Sequence, residues 1–120
     1  MNRIEVKQAR YHSRLLCVVG LLLTAFSWAQ AEPRDAEEIV ARNCLGCHTS
    51  GAGGAPRPQH LGDWQALFSR YSEQQVVDHA YEGRGRMPAR GFCNDCSRDD
   101  IARAIEVMLP ESMRGRIVGE

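Results

Sequence analysis

Cys44-Leu45-Gly46-Cys47-His48 constrains this chain more than any other stretch. Two thiols three positions apart can add across the two vinyl groups of one haem, and an imidazole directly after the second is then held against the iron from one side. C-x-x-C-H is read as c-type haem attachment for that reason. A bare C-x-x-C also serves disulfide exchange and zinc binding, so the pentapeptide has to be weighed with the rest of the chain.

The 120 residues amount to one domain, with a hydrophobic fraction of 43% and a formal charge of zero. That balance points to neither nucleic acid nor an anionic membrane as a partner. The front of the chain sets it. Residues Met1 to Arg14 carry Arg3, Lys7, Arg10 and Arg14 against one acid, Glu5; an apolar stretch from Leu15 to Trp28 follows, then Ala29-Gln30-Ala31. Basic region, short apolar region and A-x-A site make a secretory signal. Residues 1–31 are therefore expected to be a cleaved signal peptide and residues 32–120 an exported, periplasmic domain. The alternative is a retained anchor, but the apolar run falls short of the ~20 residues a spanning helix needs. A lipidated Cys17 is disfavoured by the bulk of Leu16 before it. From Glu32 to Glu120 there are 14 acids and 11 bases, all arginine, a net charge of −3. Four cysteines remain, in two C-x-x-C pairs, an even count suited to an oxidising compartment. A domain of this size is short of core and often needs a staple, which a covalently held haem would supply.

Taken in order, Asp35 with Glu38 predicts a capped amphipathic helix over 36–43 that delivers the chain into Cys44. Thr49 to Pro58 is turn and loop chemistry. A ligating His gives its other ring N–H to a carbonyl or carboxylate, and the carbonyl of Pro56 is the candidate acceptor for His48. Asp63 is expected to cap a short turn through Phe68, in which Trp64 serves the core or offers its indole N–H to a haem propionate. Ser72 with Gln75 opens a helix whose stripe is Val76, Val77, Ala80 and Tyr81, ended by Gly83. Ser97 with Asp100 opens the last one, with Ile101, Ala104, Ile105 and Met108 at helical spacing before Pro110. The tail from Glu111 shows no periodicity and is expected to fray. No run alternates long enough for a strand, so the fold class is all-α: short helices and loops around one covalently bound haem c.

Met87 sits in the loop Gly83 to Gly91, between Arg86 and Pro88, with no helical or strand stripe to belong to. It is the candidate second iron ligand opposite His48. Thioether ligation raises the potential relative to a second His and leaves no open coordination position, which points to electron transfer and away from catalysis. Met108, Met113, His60 and His79 are the competitors. Cys93 and Cys96 are followed by Ser97 where a haem motif needs a His, so they are not expected to hold a second haem. Both pairs together are also a zinc pattern, but the interval between them exceeds the roughly 15–20 residues of compact zinc modules. Arg84, Arg86, Arg90 and Arg98 bracket Met87; they either steer an acidic partner or pair with Asp95, Asp99 and Asp100 or with propionates.

Gly54-Ala55-Pro56, Gly62-Asp63-Trp64, Met87-Pro88 and the run from Gly91 to Ser97, added to C-x-x-C-H, resemble the class I cytochromes c, specifically the cytochrome c5 family. The similarity spans about Asp35 to Leu109; the segment Arg57 to Leu61 is longer and more irregular than the family's usual link. The resemblance implies a monohaem fold with crossing first and last helices. It implies a disulfide between Cys93 and Cys96, and a monomer passing electrons to respiratory or sulfur-oxidising redox proteins, with weak docking to membrane complexes. The alternative is a haem-bearing subunit of a larger oxidoreductase, such as a sulfur-compound or alcohol dehydrogenase. Co-purification with a catalytic partner separates the two.

Overall fold

Asp35 starts the first helix by accepting hydrogen bonds from the N–H groups of Glu37 (2.9 Å) and Glu38 (3.4 Å). Glu38, placed by its spacing to complete a capping box, turns instead to Arg42 at 2.7 Å. The computed structural model describes residues 33–119; the expected signal peptide and its cleavage site lie outside the described residues. Helix α1, Ala36–Ile39, runs into a π-helical turn, Val40–Cys44, and then into α2, Leu45–His48. The wide turn is closed by the Leu45 N–H on the carbonyl of Val40, five residues back. Such single π turns are common at functional sites.

Helix α3, Leu61–Phe68, begins three residues earlier than its sequence suggests, after His60. Asp63 is not its cap. It lies in the first turn and reaches back, accepting the Arg57 side chain at 2.8 and 3.1 Å and the Arg57 backbone N–H at 3.0 Å. The irregular segment Arg57 to Leu61 is thereby closed into a loop. Helix α4, Glu73–Glu82, carries the reciprocal Ser72–Gln75 box and buries Val76, Val77 and Ala80. It ends at Gly83, whose φ of 86° suits glycine. Helix α5, Arg98–Met108, carries the Ser97–Asp100 box and buries the predicted stripe together with Ala102 and Asp100 itself. Burial works to raise the Asp100 carboxyl, but hydrogen bonds from the Ser97 N–H and hydroxyl and the nearby Arg103 charge outweigh it and hold it below its usual value.

α1 packs against α5; α4 packs against both α5 and a tight turn at Ala89–Phe92, and the π turn packs on α5 and that same turn. Trp64, Leu109 and Cys96 are the largest fully buried side chains. Among the described residues there is no strand, only an isolated bridge between Arg84 and Met87. The tail does not fray as expected. Glu111–Met113 forms a 3-10 turn, Met113 is buried at 7% exposure, and the Glu106 carboxylate accepts the N–H groups of Gly115 and Ile117. Arg116 adds an ion pair to Glu73 on α4 and lies over the Phe68 ring. Glu73 lies 43 residues from Arg116 and the Glu106 contacts reach beyond the end of its helix, so local periodicity could not reveal them.

Met113→Ala is expected to cost about 2–5 kcal/mol, the range for a buried Met truncated in a core, read by denaturant unfolding; a change near zero would return the tail to a frayed end. Asp63 gives a pH test. The Arg57 donors hold its carboxyl well below the usual carboxylate range, so its contribution is present above the unfolded-state value of 3.8 and is lost as pH falls through the lower folded value. Asp63→Asn is expected to melt lower than the parent at pH 7, with the gap closing toward pH 2. A gap independent of pH would overturn this account.

Candidate cofactor site

His48 is buried, at 7% exposure, at the end of α2. Its Nδ1 lies 2.8 Å from the carbonyl oxygen of Pro56. A carbonyl can only accept, so Nδ1 carries the proton and the Nε2 lone pair is left for another partner. The loop that makes this possible turns through Gly51, Gly53 and Gly54, all at positive φ, and brings Pro56 back under the ring.

Cys44 and Cys47 are free thiols, although they have the same spacing as the bonded pair Cys93–Cys96. Cys44 is half-buried near the carbonyl of Ile39, and burial pushes its thiol up to about 11. With Cys93 and Cys96 joined to each other, four thiolates are not available, which removes the zinc pattern. The one cluster of metal-ligand type among the described residues, Cys93, Asp95 and Cys96, is that disulfide and an adjoining carboxylate.

Met87 is half-buried on a loop tied down on both sides. Before it, Gly53 lies so close to Arg86 that a Cβ there would sit 3.0 Å from the Arg86 Cδ. After it, Gly91 lies against Asn43: a Cβ at Gly91 would sit 3.0 Å from the Asn43 carbonyl oxygen, and the Asn43 side chain donates to the Gly91 carbonyl at 3.2 Å. Gly53 follows His48 and Asn43 precedes Cys44, so the Met87 loop is fastened to both flanks of the C-x-x-C-H stretch. Arg84 and Met87 exchange backbone hydrogen bonds at 3.0 Å, and Gly83 leaves no room for a side chain beside Ala89. Asn43, Gly53, Arg86 and Gly91 were not singled out in the sequence as site residues, since only their pairing in space gives them this task.

The competing ligands are engaged elsewhere. Met108 and Met113 are core residues, His60 lies 3.0 Å from Asp63, and His79 meets the Tyr71 ring edge-on beside Arg84. Trp64 is 1% exposed and gives its indole N–H to the carbonyl of Arg57 at 3.0 Å. Its one donor is thus spent on backbone, and core packing is its task in place of the propionate contact. Among the four arginines around Met87, Arg98 pairs with Asp78 on α4. Of the acids expected to neutralise the cluster, Asp95 is used by Arg34 and Asp100 by Arg103, and Asp99 is in no ion pair among the described residues. Arg84 reaches the Tyr71 hydroxyl, and Arg90 lies over the Tyr81 ring and donates to the Asn94 carbonyl. No ion pair among the described residues includes Arg84, Arg86 or Arg90.

A haem fits this donor set: two unbonded thiols three apart, an imidazole whose inner nitrogen is already satisfied, and a thioether held over the same stretch. The comparisons with known proteins agree. The family described as cytochrome C oxidase, cbb3-type, subunit III, matches residues 31–107. Cytochrome c5 of Ectopseudomonas mendocina is 38% identical over 79 residues, covering 62% of this chain and 87% of that protein. Cytochrome c-551 of Halorhodospira halochloris is 35% identical over 73 residues, covering 61% of this chain and 87% of its own. A solved mono-haem ferrocytochrome c from Shewanella putrefaciens superposes with a TM-score of 0.55 at 35% identity, covering 65% of this chain and 95% of that one. The c-x-x-c-h stretch, the all-helical wrapping and these relatives converge, and the chain belongs to the class I monohaem cytochromes c of the c5 type.

Proposed function

We propose that this cytochrome is an exported, periplasmic carrier of single electrons between respiratory or sulfur-oxidising redox proteins, and not itself a catalyst. Its cofactor is one haem c: Cys44 and Cys47 would hold it by thioether bonds, and His48 Nε2 and the Met87 sulfur would be the protein's ligands to its iron. The observation that carries the reading is the double fastening of the Met87 loop, at Gly53 and at Asn43, to either side of the attachment stretch. Haem bound there supplies a one-electron couple. The chain's own residues decide how that couple behaves. Pro56 keeps the His48 ring in one tautomer and orientation. A thioether from Met87 would favour the reduced state, and with His48 also bound it would leave no position for oxygen or peroxide. The Cys93–Cys96 bond stands between the Met87 loop and the cap of α5, where it pins the turn that holds the methionine.

The uncompensated Arg84, Arg86 and Arg90 give the Met87 loop a positive face, suited to an acidic patch on a partner through a small, weak interface. Long-range attraction of this kind is screened by salt.

Met87→Ala is expected to lose the methionine-to-iron charge-transfer band of the oxidised spectrum and to lower the midpoint potential, while the mass of the attached haem is kept. A band that survives would move the second ligand elsewhere. Transfer to an acidic partner is expected to slow as ionic strength rises, and a flat profile removes the arginine docking face.

A further inference from the structure

Three consecutive residues, Arg90, Gly91 and Phe92, hold φ values of 54°, 57° and 67°, all left-handed. Two of them have reasons visible in the fold. Gly91 is pressed against Asn43, and Arg90 crosses the Tyr81 ring. Phe92 has none. A bulky residue is rare in this region of backbone space, and its ring is 75% exposed, the most of any large apolar side chain among the described residues. Glycine would suit the backbone better, and the core would lose little by it. An unfavourable conformation kept at an exposed position is a pointer to function.

Its surroundings say what it would meet. Phe92 borders a cleft of about 560 Å³ between the start of α1 and the disulfide turn. The charges in that cleft are largely spent on one another: Arg34 on Asp95, Arg42 on Glu38, and Asp35 on the helix N–H groups. Arg84, Arg86 and Arg90, on the loop that leads into Phe92, are in no ion pair among the described residues. We infer that Phe92 is the apolar anchor by which this cytochrome seats on a partner protein whose docking face has an apolar recess rimmed by carboxylates. This rests on the electron-carrier reading and adds to it the residue that keeps the pair together. The arginines govern approach, whereas a phenyl ring seated in a recess governs departure.

The test uses the haem-bearing protein and gold surfaces coated with carboxylate-terminated thiols, either pure or diluted with methyl-terminated thiols. Adsorbed mass and interfacial electron transfer are read together. The wild type is expected to hold the mixed film about tenfold more tightly than the pure carboxylate film. Phe92→Gly is expected to lose that preference while spectrum, midpoint potential and melting temperature are kept or the last rises. Leu61→Ala, which trims another exposed apolar side chain (42% exposed), is expected to retain it. A Phe92→Gly protein that still prefers the mixed film overturns the anchor, as does a Leu61→Ala protein that loses as much. A wild type without haem bands or a redox wave overturns the carrier reading itself, so the two failures are told apart.

Discussion

A hydrogen bond to one imidazole nitrogen fixes which nitrogen is free for a metal and how the ring is turned, and the bond from His48 to the Pro56 carbonyl is the constraint on which the rest is built. To bring that carbonyl beneath the ring, the chain must turn sharply within eight residues, which is why the loop is made of Gly51, Ala52, Gly53 and Gly54 and little else. The same absence of side chains lets Arg86 lie down on Gly53. One small-residue loop thus orients the histidine and receives the methionine loop. Arg57 and Asp63 then close the segment that follows, and Trp64 ties its indole to that segment's backbone.

The two C-x-x-C pairs show how local surroundings decide the fate of identical spacing. Cys93 and Cys96 lie in a tight turn, with Cα atoms 5.4 Å apart, and are joined. Cys44 and Cys47 straddle the start of a helical turn and remain apart as thiols. Left unbonded, the first pair offers two attachment points three positions apart on one helical face. A turn folds the second pair onto itself.

Much of this was legible in the chain. The helices with Ser caps and reciprocal partners, Ser72 with Gln75 and Ser97 with Asp100, appear where their spacing puts them, because a capping box is a contact within one turn. The all-α architecture and the position of Pro56 relative to His48 follow from similarly local chemistry. What stayed hidden depended on which of several possible partners a side chain takes once the chain is folded. Glu106 gathers the tail, Asp63 answers Arg57 instead of capping its helix, and Trp64 spends its N–H on a carbonyl. The closeness of Gly91 to Asn43 is of the same kind, since neither residue announces the other.

The widened turn at Val40–Cys44 has a consequence for phase. Val40 and His48 are eight residues apart, and in an uninterrupted α-helix their side chains would point about 80° away from each other. A turn that absorbs one surplus residue lowers the effective separation to a heptad, leaving only about 20° between them. That phase lets both side chains turn to one side of the same rod, and both are buried. The aliphatic side chain that anchors the helix and the imidazole proposed as iron ligand are in this way kept in step.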